Sequence, residues 1–333
     1  MKAEAADFKV SVLVTFYNQE KYVDKALESI VSQETDFNVK IMVGDDGSSD
    51  RTRDIVNEWI VRYPGRIELY VMQRDSGPHT PGFRASRNRL ELLKKVNTEY
   101  FIYLDGDDYF TSADKLQRQA DILDKEENRD CIACGHNSYR LYTDGRKDPA
   151  TDPGLPECKL TASEFWKKHY IHTDTLMIRS WIKDLIDYRL LENSFNDVMI
   201  TYSAVQYGKI YYYPEYQSVY LQTNNGIWTG GDTVVNMIRV MMFYDIALMI
   251  NPKMKYQSLC RFGFAWEELF KVRRSIDTLQ LGAYINEAKE KGLRTALRWC
   301  SYQRLKVFGK IVLYIEVLRV KCTAFIFRRF ISL

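Results

Sequence analysis

The chain predicts an α/β protein with a mostly parallel sheet flanked by helices, followed by an all-helical region. Three short apolar segments, at 10–18, 39–50 and 100–108, each end in polar or acidic residues. Between them, apolar residues recur at helical spacing, an alternation typical of parallel sheets with right-handed crossovers. Because ligands bind at the carboxyl ends of parallel strands, we expect these polar ends to converge on one crevice.

Each predicted element of the first half follows from local patterning. An apolar stripe through Val23, Leu27 and Ile30 predicts the first helix, and Ser49 or Asp50 can cap the second. The predicted order is a strand at 10–18, a helix at 22–31, a strand at 39–43, a helix ending before Pro64, a strand at 67–71, a loop at 76–82, a helix at 84–95 and a strand that ends at Asp105.

The second half begins with mixed elements and ends with helices only. Thr161 and Glu164 form a capping box, which predicts a helix start. The predicted elements are a helix around 116–123, a strand at 131–139, a surface loop at 144–156, a strand at 175–178, a helix at 198–205, strands at 209–213 and 217–221, and helices from 233 onward. The composition shift near Gly230 and Gly231 predicts a domain boundary.

Composition excludes some classes of protein. The 333 residues are 46% apolar and carry a net charge of only +3, which argues against a dedicated nucleic-acid binder. Cys131 and Cys134 have no second ligand pair at matching spacing, so we expect reduced, packed cysteines rather than a zinc site. Neither a secretory signal nor a long uncharged apolar stretch is visible, which predicts a cytoplasmic protein.

The motif Asp105-Gly106-Asp107-Asp108 is the sharpest chemical signal. Crowded carboxylates repel one another unless a cation or separate hydrogen bonds compensate them. Oxygen ligands suit Mg²⁺ or Mn²⁺, which proteins bind through one or two carboxylates together with substrate phosphates. Gly106 would let a ligand approach the backbone closely. The motif therefore predicts a divalent metal that carries a diphosphate.

Two further segments suggest a nucleotide site. A carboxylate at 45–50 can accept the imide hydrogen of uracil, and the following helix N-terminus favours anions. Helix capping with a glycine turn is the alternative, although it leaves the adjacent Asp45 and Asp46 unexplained. The turn at 15–20 could hold a base and ribose, or it is an ordinary strand–helix turn. Arg84 and Arg87 could reach a diphosphate or be solvated helix arginines.

Asp197 is the candidate general base. It opens a predicted helix, where the helix dipole stabilises an anion, and a general base near neutral pH needs an ionised carboxylate. Plain N-terminal capping is the alternative.

Taken in order, these segments resemble glycosyltransferase family 2, the inverting enzymes with a GT-A (Rossmann-like) fold. The resemblance covers roughly 8–231. Its motifs are Thr-Phe-Tyr-Asn-Gln-Glu at 15–20, Ser-Ile-Val-Ser-Gln at 29–33, Asp-Asp-Gly-Ser-Ser-Asp at 45–50, Gly-Asp-Asp-Tyr at 106–109, Lys-Leu-Gln-Arg-Gln at 115–119 and the stretch at 220–228.

The resemblance implies residue roles. Asp46 would contact the base, Asp105 the ribose, and Asp107 would ligate Mn²⁺ or Mg²⁺. Asp197 would deprotonate the acceptor hydroxyl that attacks the anomeric carbon. The implied nucleotide-sugar site comprises Thr15, Phe16, Tyr17, Asn18, Glu20, Asp46, Arg87, Asp105 and Gly106.

This chain departs from the family pattern at three positions. Asn196 stands where many relatives have Glu, and Leu221 and Thr223 stand where relatives often have Arg and His.

The resemblance also implies a function and a domain plan. A GT-A domain at 1–231, with a nucleotide half at about 8–110 and an acceptor half at about 111–231, would precede a helical extension at 232–333. It would move a sugar from a nucleoside-diphosphate sugar, UDP first among donors, to a saccharide or lipid-linked acceptor in cell-surface polysaccharide synthesis. The alternatives are a non-catalytic nucleotide-sugar-binding scaffold and a sugar nucleotidyltransferase, although the latter usually needs a Gly-rich basic loop after the first strand.

The last 30 residues are basic and amphipathic. From Arg304 onward, the chain contains seven basic residues and a single acid, Glu316, with apolar residues between them. Such a helix can lie on an anionic membrane surface, which predicts peripheral contact with the inner face of the cytoplasmic membrane. Packing on the enzyme or on a second subunit is the alternative.

Overall fold

The fold was analysed in a computed structural model of the chain. The structure describes residues 7–74, 82–167, 169, 171–192, 197–223, 233–265, 268, 278–300, 317–320 and 322–323.

The described chain folds as alternating strands and helices, followed by helices alone. The strands are β1 (Phe8–Phe16), β2 (Asn38–Asp45), β3 (Ile67–Val71), β4 (Tyr100–Asp105), β5 (Tyr109–Phe110), β6 (Cys131–Tyr142), β7 (Lys147–Pro149), β8 (Cys158–Leu160), β9 (Met177–Arg179) and β10 (Lys209–Gln222). The α-helices are α1 (Val23–Val31), α2 (Thr52–Arg62), α3 (Phe83–Lys95), α4 (Lys115–Asp124), α5 (Ala162–Lys167), α6 (Tyr188–Leu191), α7 (Asp197–Ala204), α8 (Thr233–Ile250), α9 (Lys255–Phe262), Thr278–Glu290 and Arg294–Cys300.

The strands form one mixed sheet in the order β3-β2-β1-β4-β9-β6-β10-β5, with β7 beside β6 and β8 beside β10. The long pairings are parallel, whereas β9 runs antiparallel to both β4 and β6. In register, Thr15 pairs with Gly44 on one side and Asp105 on the other. The predicted α/β sheet is confirmed, and its parallel half brings the polar strand ends to one edge.

Several local predictions are confirmed. The strand at 67–71 has the predicted bounds. The capping box is present, since the Thr161 amide donates to Glu164 Oε2 at 2.9 Å and the Glu164 amide donates to Thr161 Oγ1 at 3.3 Å. Cys131 and Cys134 are buried free thiols. Apart from Gly82, the predicted loop at 76–82 lies outside the described residues.

Two predictions were wrong. The strands expected at 209–213 and 217–221 are one strand, β10, whose pairing with β6 shifts register on either side of Tyr216. Pro214 removes a backbone donor and so interrupts the ladder locally, but β6 pairs again beyond it. The segment at 144–156 is not simply a surface loop, because it contains β7 and buries Ala150.

The helical region packs on the sheet-bearing part of the chain. Buried residues of α8 and α9 belong to the same apolar core as residues of α3, α5 and α7. The indole nitrogen of Trp166 donates to Ser258 Oγ at 2.8 Å, and its ring centroid lies 4.1 Å from that of Tyr202. The predicted boundary near Gly230 and Gly231 lies outside the described residues, so the two-part division stays a prediction.

The basic C-terminal segment is largely outside the described residues. In the described part of the chain, no helix is both long enough and apolar enough to cross a membrane.

We expect Trp166→Phe to lower the free energy of unfolding by about 1–3 kcal/mol, because it leaves a cavity and deprives the Ser258 hydroxyl of its donor. Trp181→Phe is the matched control, since Trp181 is 48% exposed, and surface changes cost within about 0.5 kcal/mol. Guanidinium denaturation measures the free energy of unfolding of both variants. If both variants lose the same amount of stability, α9 is not coupled to the core through this contact.

Candidate active site

The turn after β1 is braced against the loop after β2. Asn18 has a left-handed backbone (φ 49°), and its Oδ1 accepts from the Ser49 amide at 2.8 Å. Glu20 Oε2 accepts from the Arg51 amide at 3.0 Å. The side chains of Asn18 and Glu20 therefore hold the loop together, which is the role that the ordinary-turn alternative assigns to this segment.

Tyr17 in this turn and Thr15 near the end of β1 are both partly accessible. Tyr17 is 45% exposed, and the Arg74 guanidinium lies 3.8 Å from its ring centroid. Thr15 is half-buried in the middle of the parallel edge, between Gly44 and Asp105. Strands pair at about 4.8 Å, so Gly44 and Asp105 lie about 10 Å apart across β1.

Asp46 is buried beside arginines rather than beside the other acids. Its Oδ1 lies 3.5 Å from Arg87 Nη2 and its Oδ2 lies 3.8 Å from Arg74 Nη1. Burial raises the pKa of Asp46, and these guanidinium groups offset only part of that rise. Arg87 also donates to the Gln73 carbonyl at 3.0 Å. Asp46 therefore has arginine counter-charges of its own.

Asp105 pairs with Arg89, which the sequence analysis missed. Arg89 lies on α3 with only 4% of its side chain exposed, and Nη2 donates to Asp105 Oδ1. Although burial opposes it, the carboxylates of Asp105 and Asp197 raise the pKa of Arg89 above its usual range. One sequence signal was available, because Arg89 falls at helical spacing from Ser86 and Leu93 on the buried face of α3.

Gly106 is required by the protein's own packing. A Cβ at this position would lie 2.2 Å from Phe16 Cδ1 and 2.6 Å from Gln19 Oε1. Phe16 is itself buried in the core beneath the turn. The glycine therefore allows the metal-motif loop to close over Phe16, a cause different from the close ligand approach that the sequence suggested.

Asp107 and Asp108 are crowded carboxyl groups. Burial, and then the Asp105 charge, raise the pKa of Asp107 to about 6. Burial also raises the pKa of Asp108 well above its usual value, together with the charges of Asp107 and Asp174. Asp108 Oδ1 accepts from the Leu221 amide at 2.8 Å, while the buried Oδ2 has no hydrogen-bond donor among the described residues.

The sequence did not predict a second cluster, formed by Asp108, His172 and Asp174. One potential ligand atom from each lies within 4.8 Å of the other two. His172 pairs with Asp174, and its ring stacks on Tyr220 with centroids 4.0 Å apart. Although burial opposes the shift, the imidazole of His172 holds the pKa of Asp174 below its usual value.

Lys115 lies near this cluster and is fully buried. Its Nζ donates to Gln119 Oε1 at 3.0 Å and lies 4.2 Å from the Phe110 ring centroid. Burial lowers the pKa of Lys115 to about 7, although the Asp174 charge opposes that shift. The cluster of Asp108, His172 and Asp174 therefore has cationic partners of its own.

Asp197 begins α7 and reaches the same part of the site from the acceptor half. It is buried, and its Oδ2 accepts from Thr173 Oγ1 at 3.4 Å. Its Oδ1 is buried without a hydrogen-bond donor among the described residues. Arg89 and His172 each interact electrostatically with both Asp105 and Asp197, so Asp197 belongs to the same electrostatic group as Asp105.

The acidic group fits a divalent cation. Asp105 and Asp107 supply hard oxygen ligands. Burial and the Asp105 charge raise the pKa of Asp107, although a hydrogen bond from Gln19 and the Arg89 charge oppose the rise. A second candidate among the described residues is the cluster of Asp108, His172 and Asp174, in which the imidazole already pairs with Asp174.

The fold is α/β, and Asp197 lies in the same electrostatic group as Asp105 in the acidic loop after β4. The family model for glycosyl transferase family 2 matches residues 11–186, so the chain belongs to that family. An uncharacterized protein of Mycobacterium tuberculosis (strain ATCC 25618 / H37Rv) is 27% identical over 228 residues, and the match covers 66% of this chain and 60% of that protein. The chain thus spans less than two thirds of the length of that relative.

Other similarities concern named enzymes. Poly(ribitol-phosphate) β-N-acetylglucosaminyltransferase TarS of Staphylococcus aureus is 32% identical over 123 residues, 36% of this chain and 20% of that enzyme. The structure of TarS 1–349 in complex with UDP matches with a TM-score of 0.61 at 19% identity, covering 97% of this chain and 92% of that one. A mannosyltransferase from Pyrobaculum calidifontis, solved with GDP-Man and Mn²⁺, matches with a TM-score of 0.53 at 14% identity. The match covers 95% of this chain and 91% of that one. These structures confirm the predicted GT-A fold.

We expect Arg89→Met to destabilise the protein by about 2–4 kcal/mol, since it leaves Asp105 without its buried partner. Asp105→Asn in the Arg89→Met background should recover part of the loss. A double-mutant cycle followed by chemical denaturation measures the coupling. The exposed pair Arg118–Glu215 is the control, with an expected coupling of at most about 1 kcal/mol. Full additivity of Arg89→Met and Asp105→Asn would contradict the pairing.

Lys115 predicts a pH-dependent stability. Below about pH 7 it is charged in both the folded and the unfolded state, and the full cost of its burial is present. Between about pH 7 and the unfolded value of 10.5, the folded state loses the proton first, so stability rises with pH.

Replacing the charge should remove this dependence. Between about pH 6.5 and 9.5, the free energy of unfolding of the wild type should rise by on the order of 3 kcal/mol relative to that of Lys115→Met. Urea denaturation across that range measures the difference. The exposed Lys125→Met serves as the control and should follow the wild-type slope; an unchanged slope in Lys115→Met would disprove the assignment.

Proposed function

We propose that the chain is a metal-dependent, inverting glycosyltransferase. It moves a sugar from a nucleoside-diphosphate sugar, with UDP as the first candidate, to a hydroxyl of a saccharide or lipid-linked acceptor of a cell-surface polymer. The observation that carries the proposal is Asp197, whose Oδ1 is buried and lacks a donor among the described residues, within the electrostatic group of Asp105.

The donor would bind along the parallel edge of the sheet. Tyr17 and Thr15 offer an exposed ring and a half-buried hydroxyl, and Asp46 can accept the imide hydrogen of uracil. The Arg87 guanidinium at the same wall suits phosphate oxygens. Phe16, Gly106, Asn18 and Glu20 would act by shaping this wall. The crystal structure of TarS with UDP supports a uridine nucleotide.

Asp107 would hold the divalent cation, Mn²⁺ or Mg²⁺, while Asp105 faces the ribose. The P. calidifontis enzyme, solved with Mn²⁺, supports the choice of ion. When bound, such an ion supplies Lewis-acid stabilisation of a diphosphate leaving group. Arg89 pairs with Asp105 and fixes its carboxylate at the end of β4, where it would contact the ribose.

Asp197 would accept the proton of the acceptor hydroxyl. The acceptor oxygen then attacks the anomeric carbon from the face opposite the nucleotide, which inverts the configuration in one displacement. The name of TarS, a transferase to poly(ribitol phosphate), supports a cell-surface polymer as acceptor. Contact of the segment from Arg304 onward with the inner membrane face is part of this proposal.

The alternative is a nucleotide-sugar-binding scaffold without turnover. The nucleotidyltransferase alternative is disfavoured because the turn at 16–20 contains no glycine and no basic residue.

We expect Asp197→Asn to reduce kcat by about 10²–10⁴-fold, the usual contribution of general base catalysis, with little change in donor affinity. Asp107→Asn should instead abolish Mn²⁺-dependent stabilisation by the donor. Nucleotide release from UDP-, GDP- and dTDP-sugars measures turnover, and thermal unfolding with Mn²⁺ measures binding.

Asp184→Asn is the control, because the Asp184 side chain is 69% exposed. Unchanged turnover in Asp197→Asn would remove this residue as the base. Donor binding without turnover in the wild type would favour the scaffold.

A further inference from the structure

Thr173 is aimed at the candidate base from a neighbouring element. Its Oγ1 donates to Asp197 Oδ2 at 3.4 Å, and both residues are buried. The contact is long for a hydroxyl–carboxylate hydrogen bond, but hydrogen bonds at catalytic groups are often long without substrate and tighten in the complex. The two oxygens of Asp197 are therefore inequivalent, since only Oδ2 has a donor among the described residues.

The backbone around Thr173 is fixed by local hydrogen bonds. Residues Thr173–Thr175 form one 3₁₀ turn. Thr175 Oγ1 donates to the His172 carbonyl at 2.7 Å, and the Leu176 amide donates to the Thr173 carbonyl at 3.1 Å. Gln119 Nε2 on α4 donates to the Thr175 carbonyl at 2.7 Å. The Thr173 hydroxyl thus projects from a rigid turn.

The side chains flanking Thr173 are fixed as well. His172 and Asp174 pair with each other, and the His172 ring stacks on Tyr220 of β10. The next residue of β10, Leu221, donates its amide to Asp108 in the acidic loop. A continuous set of contacts therefore runs from the donor-side loop through β10 and the turn to Asp197.

We propose that Thr173 is a positioning residue that orients the carboxylate of Asp197 and makes Oδ1 the oxygen that accepts the proton. The proposal rests on the proposed function. The acceptor O–H proton passes to Oδ1, the acceptor oxygen bonds to the anomeric carbon, and the bond from that carbon to the phosphate oxygen breaks with its electron pair on the nucleoside diphosphate. Orientation matters because a carboxylate free to rotate loses alignment with the attacking hydroxyl.

Three variants separate positioning from mere packing. Thr173→Val keeps the shape of the side chain and removes the donor. Thr173→Ser keeps the donor. Thr175→Val removes a hydroxyl of the same turn that donates to the His172 carbonyl, so it controls for loosening of the turn.

We expect Thr173→Val to lower kcat about 10–100-fold with the donor KM within about twofold of wild type. Thr173→Ser should return kcat to within about threefold of wild type. Thr175→Val should lower the free energy of unfolding and should lower kcat less than Thr173→Val does. In the Asp197→Asn background, adding Thr173→Val should cost nothing further, because the hydroxyl acts through that carboxylate.

The outcomes are distinguishable from failure of the proposed function. Wild-type turnover with an unchanged kcat in Thr173→Val, or an equal loss in Thr175→Val, overturns the role of Thr173 and leaves the transferase proposal standing. A further loss on adding Thr173→Val to Asp197→Asn also overturns it. Absence of turnover in the wild type with every donor removes both proposals together.

Discussion

The site depends on the register of β1 with its two parallel neighbours. Thr15 pairs with both Gly44 and Asp105, so the loops that follow β2 and β4 leave the sheet at one level on either side of it. A shift of one residue in either pairing would turn the strand's side chains to the opposite face and separate the loops. The buried valines of β1 oppose such a shift, because the core holds them on one face. Register is therefore the constraint that sets the relative positions of the loops after β2 and β4.

That register places acids on both sides of β1, and each side has its own arginine partners. Asp46 lies among Arg74 and Arg87 on one side of β1, while Asp105 on the other side pairs with Arg89. Burial and the Asp105 charge raise the pKa of Asp107, although a hydrogen bond from Gln19 and the Arg89 charge oppose the rise. The arginines on α3 therefore balance Asp46 and Asp105 at the strand ends.

Sequence patterning predicted the strands, most helices and the acidic motifs, because these depend on local periodicity and on neighbouring residues. It did not predict Arg89, the cluster of Asp108, His172 and Asp174, or Thr173. Each of these acts through contacts between distant segments; Thr173 and Asp197, for example, are brought together only when α7 packs beside the 3₁₀ turn. Periodicity shows that a residue is buried, but not which partner it meets. Asn18 and Glu20, for which the motif implies ligand roles, also make hydrogen bonds between the two loops that the sequence did not predict.

The charge distribution also links Asp197, the proposed base, to the acidic loop after β4. Asp197 is buried. Arg89 is buried as well, and its positive charge interacts with both Asp105 and Asp197. Arg239 on α8 adds a second positive charge that interacts with Asp197. Because α8 belongs to the helical region, that region contributes a charge that interacts with Asp197 as well as residues of the apolar core.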